Sequence, residues 1–158
     1  NERYAHLFDE AEREVIARHV PWTRRVREGK TEHQNRPVDL LEFTVERRDQ
    51  LVLKPNDDYG GHGIYIGWNA SESEWRDALQ SALADGDYLV QQRVPTAREV
   101  FPALTSDGGV EYAEQLVDLD PLLFYGKVGS AFTRLSSTEL ANVSSGGGMV
   151  PTFIIAEK

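Results

Sequence analysis

The sequence predicts an α+β chain, with antiparallel hairpins gathered around one strongly specified helix. Three observations carry that expectation. Short β-prone apolar runs come in pairs joined by glycine-containing turns, at 57–63 and again at 106–109. One stretch, 71–86, has a helix start, a helical period and a helix stop. The runs do not alternate strand, helix, strand as a parallel doubly wound sheet requires.

The elements follow in order. Over residues 3–20, Phe8, Ala11, Val15 and Ile16 sit among charges, the pattern of a surface helix with one buried stripe, and Pro21 ends it. Residues 24–37 are polar, and Gly29, Lys30 and Asn35 read as loop. Leu51, Val52, Leu53 and Lys54 form a β-prone run stopped by Pro55, and residues 64–68 pair with it across the glycine-rich turn. Ser71 and Glu74 have capping-box form; Trp75, Ala78, Leu79, Ala82 and Leu83 then fall on one helical face, and Gly86 closes the helix. Residues 88–94 read as a strand ended by Pro95. Residues 99–105 and 110–119 form a hairpin, as do 122–125 and 128–135; a mobile loop at 144–148 precedes a last strand, 149–156.

Composition limits the function. A chain of 158 residues has room for one domain or two small lobes, and buries roughly 68–70% of its unfolded surface. With no cysteine there are no disulfides, no thiolate catalysis and no cysteine-bound metal, which fits a reducing, cytoplasmic setting. The formal net charge of −9 argues against a nucleic-acid partner. No apolar run approaches the ~20 residues of a membrane span. The start, Asn1-Glu2-Arg3, reads as the interior of a longer protein.

The chemistry concentrates at Lys54 and the loop after it. A lysine ending a strand, followed by Gly60, Gly61 and Gly63, sets a cation beside a backbone whose amides can turn into one concavity and bind phosphate oxygens. In a Walker loop the lysine follows the glycines, and in a kinase the glycines come first with the lysine on a later strand. The same residues also suit a plain glycine-rich hairpin with a surface lysine.

The run Leu51-Val52-Leu53-Lys54-Pro55-Asn56-Asp57-Asp58-Tyr59-Gly60-Gly61-His62-Gly63, the capped helix, and Tyr88-Leu89-Val90-Gln91-Gln92-Arg93-Val94-Pro95 together resemble the nucleotide-binding lobe of ATP-grasp proteins. His19-Val20-Pro21-Trp22-Thr23-Arg24, Asp120-Pro121-Leu122-Leu123-Phe124-Tyr125-Gly126-Lys127 and Asn142-Val143-Ser144-Ser145-Gly146-Gly147-Gly148 point to the circularly permuted branch, which includes eukaryotic glutathione synthetase, glutathionylspermidine synthase and several bacterial families. The resemblance implies an N-terminal helix and linker (1–46), a nucleotide-binding lobe (47–95) and a C-terminal β lobe (96–158).

It also implies roles. Lys54 binds phosphate oxygens; Gly60, Gly61 and Gly63 form the lid; Gln91, Gln92 and Val94 line the adenine pocket. Asp58, or equally Asp57, reaches Mg²⁺. Arg134 faces the γ-phosphate or an acyl phosphate, and Asn142 borders the phosphate or acceptor site. The implied activity is ATP-dependent joining of a small carboxylate, or a peptide, to an amine through an acyl phosphate. The family's Glu-x-Asn metal pair has no counterpart here, so the main metal ligands are expected upstream of Asn1 or the chain is a non-catalytic ATP-binding relative. A β-rich structural domain without nucleotide is the remaining alternative.

Overall fold

Among the described residues are two four-stranded antiparallel sheets, a separate two-stranded hairpin and three α-helices, so the α+β expectation is met. The computed structural model describes residues 2–153 and 155. It divides into two units, Asn1–Val94 and Pro95–Lys158. The first holds α1 (Glu10–His19), β1 (Thr23–Arg25), β2 (Lys30–His33), β3 (Arg36–Asp39), α2 (Leu40–Glu46), β4 (Leu51–Pro55), β5 (Tyr65–Ile66), α3 (Glu72–Asp85) and β6 (Tyr88–Gln92). The second holds β7 (Arg98–Leu104), β8 (Val110–Phe124), β9 (Lys127–Ser136) and β10 (Gly147–Val150).

In the first unit the sheet order is β1-β6-β4-β5. Its register pairs Thr23 with Gln91 and Arg25 with Leu89, and pairs Gln91 and Leu89 in turn with Val52 and Lys54. Directly opposed residues share a face of the sheet and successive residues alternate. Leu51, Leu53 and Val90 therefore point one way, into a core with Trp75, Ala78, Leu79 and Ala82 of α3 and Leu40 of α2. Thr23, Arg25, Lys54 and Gln91 point the other way.

Helix α3 is built as its sequence dictates. The Ser71 hydroxyl accepts from the Glu74 amide (3.3 Å), the Glu74 carboxylate accepts from the Ser71 amide (2.8 Å), and Gly86 ends the helix at φ 79°. The Ser71 hydroxyl, which also donates to the Glu74 carboxylate (2.6 Å), and then the Ser71 amide hold that carboxyl below its ordinary pKa. Trp75 is fully buried, and its indole N–H donates to the Thr44 carbonyl (2.9 Å), which ties α3 to α2.

The structure corrects several local expectations. Helix α1 spans Glu10–His19 after a 3-10 turn over Glu2–Leu7, and it buries no residue; Val15 and Ile16 are exposed. Its apolar positions are too few and too closely hemmed by charge to form a stripe; the Asp9–Glu12 capping box and the Glu14–Arg18 pair support it instead. The stretch read as loop, 24–37, contains β1 and the β2–β3 hairpin, whose two-residue turn places Gln34 and Asn35 at positive φ (50° and 61°). Its strands are short and polar, so no apolar alternation announces them. Helix α2, capped by the Asp39 carboxylate, is likewise absent from the sequence reading.

In the second unit the order is β10-β9-β8-β7. The two expected strands at 110–119 and 122–125 are one fifteen-residue strand, with a register shift at Leu122/Leu123 and a turn at Tyr125 and Gly126. The glycines expected in a mobile loop are partly ordered: Val143–Ser145 is a 3-10 turn, and Gly147 and Gly148 pair with Ser136 and Leu135. The last strand ends at Val150, and Ile154 and Ala156 of the expected strand lie outside the described residues.

Gly67 admits no side chain. A Cβ there would stand 1.8 Å from the Arg48 carbonyl oxygen and 2.7 Å from that of Leu51. Gly67→Ala should therefore lower stability by about 3 kcal/mol or more, since rigid backbone must move. Ser71→Ala, which removes only the α3 cap, should cost about 1 kcal/mol. Urea denaturation of both variants checks this, and equal losses would contradict the assignment.

Candidate functional site

Lys54 stands near the end of β4, half-buried on the face opposite the core. Its ammonium donates to Gln91 Oε1 on β6 (2.8 Å), Gln91 Nε2 donates to the Thr23 hydroxyl on β1 (2.7 Å), and that hydroxyl donates to the Pro21 carbonyl (2.8 Å). This polar relay crosses three strands and fixes the amide orientation. Thr23, which sequence reasoning missed, sets the position of Gln91; its place opposite Gln91 follows from pairing alone. Among the described residues no carboxylate pairs with Lys54, so its charge and two remaining N–H donors are available.

The glycine loop folds back on the same end of the sheet. Gly60, Gly61 and Gly63 all have positive φ (72°, 82° and 67°). A Cβ on Gly63 would stand 2.7 Å from the Tyr88 hydroxyl and 2.9 Å from Pro55 Cγ, so the loop backbone lies against the residue after Lys54. Gly63 thereby packs on the face that Pro55 and Tyr88 share with Leu53 and Val90, while the Lys54 ammonium stands on the other face with Gln91.

The described residues do not fit a magnesium ion by themselves. Asp57 and Asp58 are exposed, the Asp58 carboxylate accepts from the Tyr59 amide (2.7 Å), and among the described residues no three carboxylates or imidazoles gather as a metal site. Magnesium asks for several hard oxygens in octahedral array.

Gln92 alternates to the other face of β6, where its side chain hydrogen-bonds His33. The imidazole packs against Trp22 and Phe43, with ring centroids at 5.5 and 4.6 Å. Burial, reinforced by Arg47 and Arg24, holds the His33 pKa below its ordinary value. Val94 follows β6 and is exposed, and the amides of Gln92 and Arg93 bond the carbonyls of Trp22 and Gln50 (2.8 Å each).

Arg134 and Asn142 belong to the second unit. Arg134 lies opposite Asp118 in the β8–β9 register; its Nε donates to Asp118 (2.7 Å) and its Nη2 to Asp120 (3.1 Å). The Asn142 carbonyl accepts from the amides of Ser145 (2.8 Å) and Gly147 (3.0 Å), which shapes the turn before β10.

No family model matches the chain. It is similar to a protein of Frankia casuarinae (strain DSM 45818 / CECT 9043 / HFP020203 / CcI3) whose name is "Putative glutamate--cysteine ligase 2-2", with 29% identity over 122 residues. The match covers 73% of this chain and 14% of that protein, so the chain corresponds to a small part of its relative. Among the described residues no helix is long and apolar enough to cross a membrane.

His33 gives the first unit a pH dependence. Because its folded pKa is depressed, proton uptake favours the unfolded chain. Stability should be full above the usual histidine value of about 6.5 and decline as pH falls below it. His33→Gln should flatten the urea midpoint between about pH 7 and pH 5. The same slope in variant and wild type would rule out this contribution.

Proposed function

We propose that the first unit is the ATP-binding portion of an ATP-dependent carboxylate–amine ligase. One observation carries the reading: an ammonium with no carboxylate partner among the described residues, held by Gln91 near the end of the strand that leads into a loop of three positive-φ glycines. The similarity to a protein named as a ligase of glutamate and cysteine supports the reaction class.

In the proposed reaction the γ-phosphoryl group passes from ATP to a substrate carboxylate, giving an acyl phosphate and ADP. An amine then attacks the acyl carbon, the C–N bond forms, phosphate leaves and the amine gives up a proton. Lys54 would hold phosphate oxygens, its charge counting for more beside a partly buried strand than in bulk water. Gly60, Gly61 and Gly63 would exclude water by closing over the phosphates, and the end of β6, at Gln91, Gln92 and Val94, would receive the base. Arg134 would meet the transferring or acyl phosphate after releasing at least one of its two carboxylates, with Asn142 bordering the acceptor. No step here is routed through magnesium; Asp58, or Asp57, could supply at most one of its oxygens.

ATP binding without turnover is the second reading. The double engagement of Arg134 by Asp118 and Asp120 favours it, because a guanidinium so occupied is not presented to a phosphate. ADP release with a panel of carboxylates and amines separates the two.

Lys54→Ala should raise the ATP dissociation constant at least tenfold, consistent with about 1.5–3 kcal/mol for a charge-assisted hydrogen bond. The circular dichroism and urea midpoint should stay close to wild type, since Lys54 lies off the core face. Titration calorimetry gives the answer: unaltered ATP affinity in this variant would take Lys54 out of the site.

A further inference from the structure

A second concentration of positive charge lies in the first unit, away from the glycine loop. Between the edge strand β1 and the start of β2 is a cavity of about 420 Å³. Its lining includes Arg24, Arg25, Arg27 and Lys30, together with the hydroxyl-bearing Thr23 and Thr31, and among the described residues no acidic side chain lines it. Four cations around one small concavity, in a chain of net charge −9, are a marked local inversion of sign.

The backbone explains how they meet. Gly29, at φ 121°, turns the chain between β1 and β2, and its carbonyl accepts from the Leu40 amide (3.0 Å), which closes the turn. Residues 24–30 thereby wrap one space. Two of the cations are held in place by the fold. Arg24 donates to the Thr31 hydroxyl (2.7 Å) and lies over the Trp22 ring at 5.1 Å; Arg25 donates to the Gly86 carbonyl (2.9 Å) and faces Asp87 at 3.4 Å. Arg27 and Lys30 are exposed and, among the described residues, have no carboxylate partner.

We propose that this cavity is an anion seat for a phosphate-bearing small molecule, distinct from the nucleotide site around Lys54. The volume is within the range of small-molecule pockets, roughly 300–1,000 Å³. Guanidinium forks and an ammonium match the several oxygens and double charge of a phosphate group. The seat adjoins the Lys54 site at Thr23, whose hydroxyl accepts from Gln91, at Leu89, which lies opposite Lys54 in the register, and at Asn56. The assignment depends on the lining of this cavity and holds whether or not Lys54 binds ATP.

The test is calorimetric titration of the chain with inorganic tripolyphosphate, and with citrate as a polyanion lacking phosphorus. Wild type should bind tripolyphosphate, and Arg27→Ala with Lys30→Ala should weaken that binding at least tenfold. Each single change should give an intermediate loss, so the result does not hang on the double variant's folding. Lys54→Ala should keep most of the affinity. No binding by wild type, or full affinity in the double variant, overturns the proposal. Loss in Lys54→Ala with the double variant unaffected places the anion at the glycine loop; that also overturns it and leaves the nucleotide reading intact. Equal affinity for citrate overturns the phosphate assignment.

Discussion

The register between β4 and β6 is the constraint on which the first unit depends. Pairing Leu53 with Val90 and Lys54 with Leu89 sends Leu51, Leu53 and Val90 to α3 and leaves Lys54 beside Gln91 on the other face. A slip of one residue would reverse every side chain, burying the ammonium and exposing Leu51, Leu53 and Val90. Burial of those three residues, at roughly 1.5–3 kcal/mol each, therefore also specifies where the cation stands. Core and site share one cause.

That register is itself secured from α3. Trp75 fills the space over the sheet and bonds the Thr44 carbonyl of α2, and Arg48 donates to the carbonyls of Gly67 and Ala70, pinning the connection from β5 into α3. Gly67 fits under this contact because it lacks a Cβ. The glycine loop is thus anchored at both ends, by the β4–β5 pairing and by Gly63 against Tyr88. Its middle is exposed, and Tyr59 projects into solvent there. A loop fixed at its ends and free at its tip can close on a ligand without disturbing the sheet.

Electrostatics divides the two units differently. The first collects Lys54, with no carboxylate partner among the described residues, and a cavity lined by Arg24, Arg25, Arg27 and Lys30, inside an acidic chain. In the second, Arg134 is neutralised by cross-strand Asp118 and by Asp120 two residues along the same face. A part-exposed pair of this kind contributes about 0.2–1 kcal/mol to stability. Its larger effect is to occupy the guanidinium, so any phosphate chemistry at Arg134 requires the carboxylates to let go.

The sequence by itself determined what is encoded locally. Capping chemistry at Ser71 and Glu74, the helical period from Trp75 to Leu83, Gly86 at positive φ and the glycine turns after Lys54 each act within a few residues, so α3 and its flanking hairpin were legible in advance. Tertiary structure decided the rest. Strands β1 to β3 are short and polar, and they exist because β6 and a two-residue turn complete their hydrogen bonds. Helix α1 has too few apolar positions to form a stripe, and Val15 and Ile16 stay exposed. The partners of Lys54 and Arg134, and the gathering of Arg24, Arg25, Arg27 and Lys30 around one cavity, depend on strand register and on a turn at Gly29. Those are distances between chain segments, and no local periodicity records them.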